Sequence, residues 1–461
     1  MPPHTQRRLA LTAASLGFFL VILDSTVVNV ALPTLGADLG GAVDGLQWTV
    51  DAYLVAFSAL LLSAGVLSDR FGARRCFALG LGAFAAASLL CGAAPSLGLL
   101  LAARVAQGAA AALLLPASLA LVRQAYADPA ERTRAIGTFI ALGGVAAALG
   151  PVLGGLATAA LDWRAIFLVN VPACLLALAL LGGVPGSARR HVALDLPGQL
   201  AAIVAVAALV GAVIEGGRDG FGAPVPVGAL GLAAVAAAAF VARARRTPAP
   251  LLPLDLLADP RVHSGAFTGL VVNVSMYGLM FVLGLFWQRA LGLGPAAAGL
   301  AMLPMTGLVA VANLVSGRLT ARHGVRGPLL GGHALAACAL LPLLLVGTGT
   351  PLGLIALLLV PIGVGGAVII PAMTTAMLDA VPAERAGLAA GLLNASRQFG
   401  GALGVAGFGA LLHDDLVSGL HAAVTISVAL LAASALLAAH ATRPHSPRIR
   451  SRIAAGWDRN G

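Results

Sequence analysis

The sequence predicts an all-α integral membrane protein, with two pseudo-symmetric six-helix halves, two extra linker helices between them and fourteen transmembrane helices in total. Three observations predict it. Of 461 residues, 59% are hydrophobic and 10% charged, and the mean hydropathy is +0.96; a soluble domain carries about 25% charged residues. Apolar runs of about 20 residues, the length that crosses a bilayer, recur along the whole chain. The arginines collect in every second gap between those runs, which is a topology signal rather than a nucleic-acid surface.

The first run, 9–32, follows Arg7 and Arg8 and has no small-x-small cleavage site before Pro33, so it reads as a retained helix. Runs at 46–67 and 77–94 flank a short Gly- and Arg-rich turn. Runs at 97–121 and 135–160 flank a basic loop, and 165–184 completes a half. The runs at 196–214 and 223–242 form the linker pair, with Pro224 and Pro226 at their boundary. The second half has 262–287, 296–317, 328–347, 352–377, 387–411 and 420–440. The divisions are 1–190, 191–250, 251–442 and a basic tail, 443–461. Without a lysine, the 28 basic residues are all arginine. Twenty-three of them, including the pair Arg189–Arg190, fall on one side of the fourteen-span scheme, against Arg164, Arg218 and Arg289 on the other. That puts both termini in the cytoplasm. Heavy Ala and Gly usage points to a GC-rich bacterial genome, hence the bacterial plasma membrane.

The chain repeats itself. Gly65-Val-Leu-Ser-Asp69-Arg70-Phe-Gly72 matches Gly317-Arg-Leu-Thr-Ala321-Arg322-His-Gly324. Glu131-Arg132 matches Glu384-Arg385, and Gly108 and Pro116 match Gly363 and Pro371. Landmarks in one order at nearly constant offset mean two related halves, the plan of secondary transporters.

Asp24 puts a carboxylate in the first apolar run, at a cost of about 2.5–3.5 kcal/mol on an insertion scale. It reads as a functional group lining a path, or else as an Asp near enough to the surface to stay wet. Arg104 in the fourth run lies roughly 12 Å from the outer end and Asp24 roughly 13 Å from its own, at 1.5 Å per residue. A buried arginine needs a partner; Asp24 is the candidate, the alternative being backbone carbonyls and Gln107. Gly65, Asp69, Arg70, Gly72 and Arg75 make a tight turn that can act as a gating clasp or as a plain positive loop. In the fifth run Gly150, Pro151, Gly154 and Gly155 give a smooth, kinked surface for close helix approach. Asn394, Arg397 and Gln398 share one helix face; with Asn29, Gln107 and Asn273 they are candidates for a substrate cavity between the halves. Asp51, one turn after Trp48, is expected at the outer mouth, as a second protonatable site or an interfacial charge. Trp48, Trp163 and Trp287 fall where an aromatic belt would stand. Cys76, Cys91, Cys174 and Cys338 show no metal or disulfide spacing, and the scattered histidines, His413 and His440 among them, make no catalytic signature.

Together these motifs resemble the major facilitator superfamily, and within it the fourteen-helix drug:proton antiporters of the EmrB/QacA type. The residues that carry the likeness are Asp24-x-Thr26-Val27-Val28-Asn29-Val30-Ala31-Leu32-Pro33, the Gly65–Arg75 turn, Arg104-x-x-Gln107-Gly108 and Gly137 to Gly155, with Ala146 where a Gly is usual. Trp163-Arg164-x-x-Phe167-x-x-Asn170-x-Pro172 and Asn394-x-Ser396-Arg397-Gln398 also fit. The resemblance implies proton-driven export of small, often lipophilic or cationic compounds by alternating access, with Asp24 and Arg104 in proton coupling. No cofactor beyond the proton, no metal and no nucleic acid is expected; the partners are a small-molecule substrate and the bilayer, and the working unit a monomer. A dedicated exporter of one endogenous metabolite or antibiotic would show the same motifs, and a non-transporting membrane scaffold is the more distant alternative.

Overall fold

The computed structural model describes residues 3–187, 194–382, 385–412 and 415–443. Arg189, Arg190, Glu384, His413 and the tail beyond Arg443 lie outside the described residues. The chain forms a helical bundle: α1 (Pro3–Leu39), α2 (Val43–Phe71), α3 (Ala73–Gly92), α4 (Leu97–Ala125), α5 (Pro129–Ala160), α6 (Ala165–Leu168), α7 (Asn170–Leu181), α8 (Leu196–Asp219), α9 (Pro224–Arg246), α10 (Pro260–Leu285), α11 (Pro295–Thr306), α12 (Val309–His323), α13 (Arg326–Leu340), α14 (Leu352–Leu378), α15 (Ala386–Ala410) and α16 (Leu416–Ala441).

Each predicted run meets a helix, but two runs are broken. The run 165–184 divides into α6 and α7 because Pro172 has no N–H to bond the Leu168 carbonyl. The run 296–317 divides into α11 and α12 at Gly307, three residues after Pro304. Among the described residues, twelve helical stretches are long and apolar enough to cross a membrane. The two remaining predicted spans are 165–181, which is short, and α15, which carries the Asn394–Arg397–Gln398 stripe.

Caps follow the sequence closely. Asp128, Asp195, Asp259 and Asp415 each accept a backbone N–H at a helix start. Gly72 ends α2 at φ +92° and Gly324 ends α12 at φ +80°, a left-handed conformation that glycine adopts without strain. These two glycines are repeat partners. So are two close approaches: a Cβ on Gly108 would overlap the Tyr53 carbonyl oxygen, and one on Gly363 the Met305 carbonyl oxygen. Thus α4 lies on α2 as α14 lies on α11.

One large apolar core runs through the bundle, with a small separate cluster of Val309, Ala312 and Ala367. The most enclosed span begins at α10, and α8 and α9 are the least enclosed. Across the repeat, α2 packs on α15 and α5 on α11, and α8 lies against both α2 and α15. The hydrogen bonds that join 3–187 to 251–443 lie at mid-bundle or at the end away from the termini. Gln47 donates to the carbonyls of Ala406 (2.8 Å) and Val405 (3.3 Å). Gln288 donates to Val30 O (2.9 Å) and Thr306 to Ala148 O (3.3 Å). At the other end, the ion pairs Arg7–Glu131 and Arg385–Asp255 each join residues of one side. Among the described residues, these hydrogen bonds between the two sides therefore concentrate at mid-bundle and at the end away from the termini.

The expected aromatic belt is not what the tryptophans form. Trp163 and Trp287 are buried, and Trp48 packs beside Gly211 of α8. Trp163 instead donates to Asp38 Oδ2 (3.0 Å), fixing the α1 end to the turn before α6.

Candidate functional site

Asp24 and Arg104 meet. Both side chains are fully buried, and Arg104 Nη1 stands 2.5 Å from Asp24 Oδ2. The contact arises because α4 lies close on α2, where Gly108 offers no side chain, and α1 packs against α4. Around the pair is a polar knot, in which Arg104 Nη2 and Asn170 Oδ1 are left without a partner among the described residues. Gln107 Nε2 donates to Asp24 Oδ1 (2.8 Å) and to Ser88 Oγ (2.9 Å), while its Oε1 accepts from Arg104 Nη1 (2.7 Å). Asn170 Nδ2 donates to Asp24 Oδ1 at 2.9 Å. Arg104 Nε donates to Thr49 O (3.0 Å), and the guanidinium lies over the Tyr53 ring at 4.4 Å. Five elements of one side, α1, α2, α3, α4 and α7, thus converge on one carboxylate. A buried pair persists only with such extra bonds, since desolvating two charges costs several kcal/mol per ion.

The expectation that Asp24 might stay wet near the surface does not hold. Gln107, expected in a substrate cavity, is instead a link in the knot with no exposure. Sequence reasoning had singled out neither Ser88 nor Thr49 nor Asn170 as site residues. Asn170, two residues before Pro172 in an apolar run, carried a signal in that motif; a serine or a backbone carbonyl carries none.

The knot is connected to the other side. Ser25, next to Asp24, accepts or donates a bond with Tyr277 Oη of α10 at 3.1 Å. Asn29 is buried and bonds Thr26 O. Its backbone carbonyl sits where α10 comes close at Gly284.

Asp51 is not an interfacial charge. It has no exposure, and neither carboxyl oxygen has a hydrogen-bond partner among the described residues. Its turn-neighbours define its surroundings: Gln47 bonds α15, Trp48 packs on α8, and Leu54 approaches Gly401 of α15. Asp51 therefore faces the junction of α2, α8 and α15.

The clasp residues are apart from any partner charge. Asp69, Arg70 and Arg75 are exposed and make no ion pair among the described residues; Arg70 lies 5.6 Å from the Phe71 ring. Gly65 faces open space. The α5 glycines do serve close approach. A Cβ on Gly150 would overlap Thr26 and one on Gly154 the Val27 carbonyl, both on α1. Gly155 meets Pro295 O of α11, and Gly299 of α11 meets Pro151 O. This makes α5 the hub between α1 and α11.

An apolar cavity of about 50 Å³ lies within residues 272–431 rather than between the halves. Val272, Ser275, Met276, Met305, Ile362 and Leu431 are among its walls. None of the six predicted cavity residues lines it. Asn394 bonds its own helix at Ala390 O, Asn273 and Gln398 are buried, and Arg397 packs along α10 at Gly269.

A model of the Major Facilitator Superfamily matches residues 14–405. The chain is similar to the methylenomycin A resistance protein of Streptomyces coelicolor, 38% identical over 404 residues, covering 87% of this chain and 85% of that one. It is also similar to the tetracenomycin C resistance and export protein of Streptomyces glaucescens, 33% identical over 405 residues, covering 87% and 75%. Its fold matches a solved bacterial homologue of the human lysosomal transporter Spinster, inward-facing and unoccupied, with a TM-score of 0.68 at 19% identity, covering 96% of this chain and 99% of that one.

Proposed function

The chain belongs to the Major Facilitator Superfamily, and from that premise we propose that this multi-pass membrane transporter is a proton-coupled exporter of small lipophilic compounds. The observation that carries the reading is the fully buried Asp24–Arg104 pair, held at mid-bundle by Gln107 and Asn170. A proton arriving on Asp24 removes the charge that Arg104 balances. The knot must then reorganise, and α1 moves with it. Because Ser25 is bonded to Tyr277 and α5 sits on α1 and α11 through glycines, that movement reaches the second half. Proton entry thereby biases one arrangement of the two halves, which is the two-state element that alternating access requires. The printed names of the relatives, resistance and export, support outward transport of drug-like molecules.

The α8–α9 pair supports the fourteen-helix drug:proton antiporter type, and the arginine distribution supports cytoplasmic termini. With that orientation the hydrogen-bonded end is the outer one, and Asp69, Arg70 and Arg75, without ion pairs among the described residues, fit a clasp that is released in this state. Asp51 is a second carboxyl for a proton, since among the described residues no hydrogen-bond donor or ion-pair partner reaches it.

The test is efflux of a lipophilic dye from cells making the protein, with and without a protonophore, beside Asp24→Asn. Protonophore-sensitive efflux that disappears in a variant still present in the membrane is expected. Unaltered efflux by Asp24→Asn would remove this role from Asp24.

A further inference from the structure

Among the described residues, the interior of the second half has a cation and no anion. Its described acidic residues, Asp255, Asp259, Asp379 and Asp415, all stand at or beyond helix ends. Arg397 lies twelve residues into α15, and its guanidinium makes no ion pair or hydrogen bond among the described residues. Asp24 is already taken by Arg104.

Arg397 runs along one face of α10. Its Cγ would stand 2.9 Å from a Cβ on Gly269, so the missing side chain makes room for its stem. One turn further along that face is Asn273, 2% exposed, whose Nδ2 has no acceptor; Arg397 Nε is likewise buried and unsatisfied. A further turn on is Tyr277, whose hydroxyl is bonded to Ser25. Two unsatisfied donors, one of them charged, thus occupy one crevice between α10 and α15. Burying donors without acceptors costs free energy, and an anionic group supplies both the acceptors and the countercharge. The apolar cavity lies on the neighbouring face of α10, where Val272, one residue before Asn273, is on its wall.

We propose that the transported molecule is an acidic amphipath, a small lipophile with a carboxylate or similar anionic group, which binds Arg397 and Asn273 and extends its apolar body toward the cavity. This rests on the exporter reading and narrows it: a cationic drug meets no free carboxylate in the second half and is repelled by Arg397. Outward passage of a monoanion against one inward proton also carries net positive charge inward, so an inside-negative potential accelerates it. One-for-one exchange of a monovalent cation for a proton is electrically silent.

The experiment uses the full chain in nanodiscs of zwitterionic lipid and three matched probes: 4-phenylbutyrate, its methyl ester and 4-phenylbutylamine. The acid is expected to bind roughly tenfold or more tightly than either of the others, the range of a charge-assisted bond. Arg397→Gln should abolish that preference and Arg397→Lys retain part of it, both with unfolding temperatures near the parent's. Tighter binding of the amine, or an acid preference that survives in Arg397→Gln, would overturn the proposal. Competition by added phosphatidylglycerol at Arg397 with no competition by the acid would assign the crevice to a lipid headgroup and also overturn it. Protonophore-sensitive efflux of the amine alone would overturn this proposal and leave the exporter standing. Arg397-dependent acid binding without proton-driven efflux would do the reverse.

Discussion

Removing the charge of Asp24 and of Arg104 separately and together isolates the pair from its surroundings. In Asp24→Asn one amide must face three donors: Gln107 and Asn170 at one position, Arg104 at the other. Asn has a single acceptor oxygen, so one position turns donor against donor. Breaking a buried pair costs about 3–5 kcal/mol. Arg104 keeps Gln107 Oε1 at 2.7 Å, Thr49 O at 3.0 Å and the Tyr53 ring at 4.4 Å, so the lower end, about 3 kcal/mol, is expected. Arg104→Gln leaves Asp24 with two amide donors and should cost about 2–3 kcal/mol. The double variant leaves no unpaired charge and should cost less than the sum of the two by about 2 kcal/mol. Denaturant unfolding of the purified proteins in detergent reads these values, and proton-driven efflux is expected to be lost in all three. Single costs that add to within about 0.5 kcal/mol would refute a direct charge pair, because independent sites add and coupled ones do not.

Further outcomes are expected elsewhere. Gly108→Ala forces a methyl into the Tyr53 carbonyl and should cost about 1–3 kcal/mol. Gly65→Ala, facing open space, should leave stability within about 0.5 kcal/mol; thermal unfolding compares the two. Asp51→Asn removes an unbalanced buried charge, so the variant should unfold no earlier than the parent while the pH dependence of transport in proteoliposomes changes. An equally stable variant with an unchanged pH profile would remove Asp51 from proton traffic. Asp195 caps α8 just outside the bilayer-spanning segments. Burial pushes its carboxyl up, but bonds from Gly198 N–H, Arg243 and Leu251 N–H together hold it below the usual carboxylate value. Its contribution is therefore complete above the unfolded value, about 3.9, and is lost as pH falls through the lower folded one. Asp195→Ala should cost about 1 kcal/mol at neutral pH, with the difference from the parent shrinking in acid.

Sequence by itself determined where the helices run, because a bilayer span needs length and apolarity, and both are composition. It also determined the repeat, since Gly72 and Gly324 stand where a helix must reverse and keep their spacing. The matched depths of Asp24 and Arg104 followed from 1.5 Å per residue. Tertiary structure decided what each polar group does. Gln107 and Asn170 became ligands of a carboxylate, Asp51 moved from an expected mouth to a closed junction, and the tryptophans turned inward. Periodicity gives the face of a helix but not the neighbour that covers it. That neighbour depends on how closely backbones approach, through glycines such as Gly108, Gly154 and Gly155. The cavity and the donors of Arg397 and Asn273 belong to the same class of fact. The cavity exists only where α10, α11, α13 and α14 come together, and the paired donors only where α10 meets α15, so no single stretch of sequence contains all the walls.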